Sequence, residues 1–216
     1  MRPRAGLLAL ALATLAVGPA LAQSEEKFAS KEQPATLSCA GPITRDADEA
    51  ALVAAFGARN VVAEDIYVGE GAFEPGTAIY PDDEARRIEI LWHDPDARRR
   101  PARVMLHEPS STRFALGDGG TLAVGATLED VEAANGGPFD LYGFDWDYGG
   151  TVSDWRDGRL GALPGGCVLF ARFAPGPDAD PDASFEVAGD QVFSSARPAM
   201  RAARPIVSML SYGFAD

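Results

Sequence analysis

The chain is 216 residues long, with 32 acidic residues against 19 Lys and Arg, a formal charge of −13, and 46% hydrophobic residues. That is enough apolar material for one large or two small domains with a real core. So acidic a composition makes nucleic acid a poor partner for the chain as a whole, because phosphate binding rests on clustered cations, and it favours contact with basic or neutral surfaces.

Arg2 and Arg4 precede an apolar run from Leu7 to Val17, which is followed by Gly18, Pro19 and the small-residue pattern Ala20-Leu21-Ala22. This is the layout of a secretory signal over residues 1–22, cleaved before Gln23. A membrane span needs about 20 apolar residues, and this run is far shorter. No later stretch is apolar enough to cross a bilayer, and no cysteine follows the small-residue box to accept a lipid. The expectation is a soluble chain exported to the periplasm or secreted. Lys27 and Lys31 are its lysines and the remaining cations are arginine, the bias of a GC-rich bacterial genome. In an oxidising compartment Cys39 and Cys167 are expected to form a bridge, the alternatives being a free thiol or an intermolecular pair. The bridge would add at most about 4 to 5 kcal/mol on the chain-entropy model. A bridged cysteine is not a nucleophile.

Residues 23–40 begin polar and without period and are expected to be a flexible leader. A first unit over 41–124 opens on "DADEAALVAAFGARNVV", where Asp46 or Asp48 caps a short helix, Leu52, Val53 and Phe56 form its apolar stripe, and Gly57 stops it. Ile88, Ile90 and Trp92 then alternate with polar or smaller residues, and Val104 and Leu106 repeat the alternation. The pattern predicts a β-hairpin whose connection runs from Asp94 to Pro101.

A second unit over 125–216 opens on "GATLEDVEAANGGPF", with Thr127 as cap and Asp130 at N3, a variant of the capping box. Laid on the first helix, Asp48 falls on Thr127, Leu52 on Val131 and Gly57 on Gly136, and each helix is followed by a β-rich stretch with a Trp near a turn, Trp92 and Trp155. The expected fold class is therefore α+β: tandem helix-then-antiparallel-sheet units joined by one disulfide. Gly125-x-Thr127-x-x-x-Val131-x-x-x-Asn135-Gly136-x-Pro138 resembles the entry motif of small outer-membrane assembly lipoproteins of the SmpA/BamE type. Those modules, and the similar tandem modules of β-lactamase inhibitory protein, set short helices before an antiparallel sheet and bind other proteins. The resemblance implies that fold and a binding role; Asn135 stands where the motif has an apolar residue. Farther on, "APGPDADPDASFEVAGD" reads as an acidic loop, and Ile206 to Phe214 as a closing strand.

"YGFDWDYGG" sets Tyr142, Phe144, Trp146 and Tyr148 at every second position, with Asp145 and Asp147 between them. On a regular strand the rings would take one face and the acids the other, so the expected role of the rings is core filling, with the aspartates solvated. A bulge at Gly143 or Gly149 would re-aim a side chain, and Trp146, Tyr148 and Trp155 are then the candidate binding aromatics. Asp145 and Asp147, about 7 Å apart on one strand face, are the candidate acid and base of an alternative reading, a glycan- or cell-wall-acting hydrolase. His93 and His107 fall about 14 Å apart on the hairpin, too far to share a metal. Asp178, Asp180 and Asp182 open like a calcium loop, but Ala183 and Gly189 stand where the loop needs its glycine and its closing glutamate. No metal site and no cofactor is expected, and no nucleophile set names a catalytic residue.

Arg86, Arg87, Arg98, Arg99, Arg100 and Arg103 crowd the hairpin, beside Asp82, Asp83, Glu84, Asp94 and Asp96. Either this is a solvated, self-balanced tip, or Arg98, Arg99, Arg100 and Arg103 dock an anionic partner. Taken together the sequence points to a non-catalytic binding or assembly protein of the bacterial envelope. Its partner is expected to be a protein or an anionic envelope component, and its oligomeric state is left open.

Overall fold

In the computed structural model, which describes residues 35–215, the chain enters the fold earlier than its polar leader suggests. Thr36–Leu37 form a short strand, β1, and Leu37 is fully buried. Residues 1–22, read as a secretory signal, lie outside the described residues. Asp48 then starts α1 (Glu49–Phe56): its backbone is extended and its carboxylate accepts the Ala51 N–H at 2.8 Å, satisfying one of the donors that a helix start leaves over. Gly57 ends the helix at φ 88°, and Leu52 is the side chain it buries.

Four long strands follow. β2 (Val61–Gly69) and β3 (Ala72–Ile79) are joined by Glu70 and Gly71, both at positive φ, the two-residue turn whose twist suits a hairpin. β4 (Ile88–Asp94) and β5 (Arg99–His107) form the second hairpin. Ile88, Ile90 and Trp92 of β4 and Val104 and Leu106 of β5 all point into the core, as their alternation requires. Two short strands, β6 (Arg113–Ala115) and β7 (Thr121–Ala123), lead to α2 (Leu128–Asn135). The capping box is complete: Thr127 Oγ1 accepts the Asp130 N–H at 3.1 Å and Asp130 accepts the Thr127 N–H at 3.0 Å. The rest of the chain contributes β8 (Asp140–Tyr142), β9 (Val152–Asp154), β10 (Val168–Ala174), α3 (Pro181–Glu186), β11 (Val192–Ser194), α4 (Pro198–Ala202) and β12 (Ile206–Gly213).

These strands make three sheets: a six-stranded antiparallel sheet in the order β10-β12-β5-β4-β3-β2, and two three-stranded ones, β1-β6-β7 and β11-β8-β9. One hydrophobic core runs from Leu37 to Phe214. The Cys39–Cys167 bridge expected from the sequence is formed. The expected α+β class of tandem helix-then-sheet units is not. The molecule is mostly β, with four short helices among the described residues, the longest of eight. The two helix starts do match at cap and stop, but that likeness ends with the helices. β10 and β12 join the sheet built by β2 to β5, while β8, β9 and β11 form a small sheet of their own, so the strands after α2 are divided between two sheets instead of making up a second unit.

Asn135, the departure from the apolar motif, explains itself here. It is 1% exposed, its Nδ2 donates to the Trp155 carbonyl at 3.0 Å and the Gly137 carbonyl at 3.2 Å, and its Oδ1 accepts the Leu160 N–H at 3.2 Å. A single amide thus ties the end of α2 to the loop after β9 and gives the buried Leu160 N–H its acceptor.

A candidate binding surface on an aromatic turn

The stretch from Tyr142 to Gly150 is a turn, and three close approaches dictate it. A Cβ at Gly143 would lie 2.5 Å from the Val187 carbonyl oxygen and 2.6 Å from that of Gly189, so only glycine lets the chain pass there. Phe144 then drops into the core, its N–H donating to Val187 at 2.9 Å and its carbonyl accepting from Gly189 at 2.8 Å. Asp145 adopts φ 65° and breaks the period-two alternation. Gly149 closes the turn by donating to Trp146 at 2.8 Å, and Gly150, at φ 73°, presses against Phe173, whose carbonyl oxygen would be 1.9 Å from an added Cβ.

Of the four rings expected to fill the interior, only Phe144 does so. The other three meet outside it. Tyr142 and Trp146 pack edge to face with centroids 5.4 Å apart, and Trp146 and Tyr148 repeat the arrangement at 5.4 Å. The Trp146 indole is pinned by its N–H to the Gly143 carbonyl at 3.0 Å, and Tyr148 is 61% exposed. Val192, opposite Tyr142 in the β8–β11 pair, is 51% exposed and extends the patch. From below, Arg172 of β10 donates to the Gly149 carbonyl at 2.8 Å. The result is a stepped aromatic ledge with Asp145 and Asp147 exposed on the same turn. Large, rigid rings with a polar end are the side chains that protein contacts favour, since they bury much area at little entropic cost.

Trp155 does not belong to the ledge. It is 9% exposed, its indole N–H donates to the Leu169 carbonyl at 3.2 Å, and its ring lies 5.3 Å from Phe139. It is a core residue.

The arginine-rich hairpin is tighter than its composition implies. β5 already begins at Arg99, paired with Asp94, so the connection is 95–98 rather than Asp94 to Pro101; a bulge between Leu91 and Trp92 absorbs the extra residue. Arg98 forms an ion pair with Glu49, Arg99 one with Asp94 at 2.8 Å, and Arg103 lies 5.0 Å over the Phe170 ring. The Arg100 N–H donates to the Ala47 carbonyl at 2.9 Å. Arg86 stacks on Tyr80 at 3.7 Å, and Arg87 bridges Glu64 and Glu89. Arg99 holds the Asp94 carboxyl below its ordinary range, chiefly through its hydrogen bond. The guanidinium groups of Arg86, Arg87, Arg98, Arg99 and Arg103 are thus engaged within the fold, the geometry of a self-balanced surface.

The histidines separate. His93 Nε2 lies 2.9 Å from the Phe214 carbonyl, whereas His107 Nε2 lies 3.1 Å from Glu89. The hydrogen bond from His107, with that from Arg87, holds the Glu89 carboxyl low against the raising effect of burial. No group of three or more potential metal ligands occurs among the described residues. Asp180 is a helix cap: it accepts from Asp182 and Ala183 at 2.9 and 3.0 Å and starts α3, so the segment expected to be an acidic loop contains a short helix. The Asp180-Pro181 pair, a cap followed by proline at the first helical position, was its signal. An open cavity of about 590 Å³ lies between α3 and α4, lined by Asp180, Asp182, Glu186 and Arg197 among others. Asp145 and Asp147 are not part of it.

Among known proteins, no family model, no curated sequence and no solved structure matches the chain.

Proposed function

We propose that the protein is a non-catalytic binding or assembly protein of the bacterial envelope, exported to the periplasm, with the ledge of Tyr142, Trp146 and Tyr148 as its contact surface. The observation that carries this reading is the ledge itself: Trp146 packs on both Tyr142 and Tyr148, Tyr148 is exposed and the other two half-buried, and all three are kept out of the core by a turn whose glycines admit no side chain. A protein gains nothing in folding from exposing such rings, and gains affinity when a partner covers them. The N-terminal segment with the layout of a secretory signal and the oxidised Cys39–Cys167 pair support export. The likeness of Gly125 to Pro138 to the outer-membrane assembly modules supports a role in binding protein. Asp145 and Asp147 sit on an open turn rather than in a cleft, which favours binding over hydrolysis.

Co-sedimentation of the purified protein with isolated envelope fractions tests the proposal. Replacing Trp146 and Tyr148 together with Ala is expected to weaken association by about 30-fold or more, the scale of a central aromatic anchor. Arg98→Ala/Arg99→Ala/Arg100→Ala is expected to change it little. Binding indifferent to the aromatic pair would reject the ledge. Release of soluble cell-wall fragments that stops in Asp145→Asn/Asp147→Asn would replace this reading with the hydrolase.

A further inference from the structure

The six-stranded sheet has two edges, and they are not equally protected. At one, β10 is met by the chain around β9, through a bridge between Thr151 and Arg172 and a hydrogen bond from Phe173 to Gly150. At the other lies β2, nine residues long and, among the described residues, paired only with β3. Tyr80 donates to the Asn60 carbonyl at 2.7 Å. The β2–β3 register then makes Val62, Glu64 and Ile66 the residues bonded to β3, and turns the backbone N–H and C=O of Val61, Ala63, Asp65 and Tyr67 outward. Pro75, opposite Asp65, fits that phase because it has no N–H to give. Among the described residues, nothing pairs with those outward groups.

On one face of this edge the side chains are bare as well: Ala63, Asp65 and Tyr67 are exposed. Tyr67 and Phe73 pack together at 5.4 Å yet remain 55% and 61% exposed. They share a face with Ala63, Asp65 and Pro75, and that face opens on a cleft of about 210 Å³ whose far wall is Pro95 and Arg98. Two charges in the cleft are already matched, Arg98 by Glu49 and Glu64 by Arg87. Asp65, at the middle of the strand, is exposed and has no ion pair among the described residues.

We infer that the outer edge of β2 is a docking site for an extended segment of another polypeptide, one with apolar residues at alternate positions and a basic residue opposite Asp65. The unpaired backbone supplies a ladder for an added strand, Tyr67 and Phe73 receive its apolar side chains, and Asp65 selects the cation. A second copy of this chain is the wrong occupant. Antiparallel self-pairing over the length of β2 sets either Asp65 or Glu64 against itself, and like charges directly opposite are repulsive. This surface is separate from the aromatic turn, and the two stand or fall independently.

The test uses the full chain and two nine-residue peptides of alternating Val and Thr, one with a central Lys and one with a central Glu, followed by fluorescence anisotropy. The Lys peptide is expected to bind about ten-fold more tightly than the Glu peptide. Asp65→Lys should invert that preference, an outcome no loss of folding can imitate. Ala63→Pro, which removes an outward N–H without touching the β3 ladder, should abolish binding of both, while Trp146→Ala leaves it intact. Equal affinity for the two peptides, no binding of either, or no inversion in Asp65→Lys would overturn the inference. So would a dimer cross-linked through Ala63→Cys, which would assign the edge to a second copy.

Discussion

Replacing Asn135 with leucine, the kind of residue the surrounding motif leads one to expect, should destabilise the protein. The change removes three hydrogen bonds, and their losses are unequal. The Trp155 carbonyl keeps the Gly158 N–H at 3.0 Å, and the Gly137 carbonyl, half-buried, can turn to water. The Leu160 N–H is left in the core with no acceptor, and an orphaned buried donor costs about 1 to 3 kcal/mol. The site is also tight: a Cβ on Gly158 would lie 2.1 Å from the Asn135 amide oxygen, so the branched Leu side chain adds strain that offsets its apolar gain. The expected net loss is about 2 to 3 kcal/mol. Urea unfolding followed by tryptophan fluorescence measures it, as a lower midpoint at unchanged m-value. A cycle with Gly158→Ala sharpens the test, because that alanine should cost less by about 1 kcal/mol or more once Asn135 is Ala. An Asn135→Leu protein within about 0.5 kcal/mol of the parent would refute the argument, since it would mean that the amide supplies no partner the backbone needs.

The disulfide spans a sequence separation of 128 residues, for which loop-closure entropy gives about 5 kcal/mol as an upper figure; Cys39→Ser/Cys167→Ser should lose about 2 to 5 kcal/mol in the same titration, and a loss near zero would reject that account. Glu89, whose folded carboxyl is held low by His107 and Arg87, contributes stability that is present above the ordinary carboxylate range near pH 4.3 and is lost as pH falls through its lower folded value. Glu89→Gln should therefore flatten the acid limb of a stability-against-pH curve; an unaltered limb would show that the pairing does not matter.

Where the sequence was readable, one residue decided a local geometry. Asp48 and Thr127 mark helix starts because their side chains reach a backbone N–H within the same turn, and the β4 and β5 alternation is legible because one face of each strand meets the core. The aromatic stretch misled because its alternation is real in the letters, while its path is set by Gly143 meeting Val187 and Gly189, contacts some 45 residues away. The hairpin connection came out too long because Arg99 to Pro101, charged and proline-containing, look like loop yet pair with β4. Sheet order was hidden for the same reason as the failed tandem repeat: nothing local to β12 says that it lies between β10 and β5. Neither the free edge of β2 nor the exposure of Tyr67 and Phe73 carries a signal in the sequence, since both depend on which strands happen to lie beyond them.

The place of β12 between β10 and β5 governs how the chain comes together as it emerges from its amino end. The meander from Val61 to His107 can assemble early, but it then waits with β5 as a raw margin. β10 arrives next and has no long strand to join, because its place is beside one that has yet to appear. Until Ile206–Gly213 arrives, the main sheet is still in two pieces. That interval, when two unsealed margins coexist with exposed apolar faces, is when escort by a chaperone matters most for this protein.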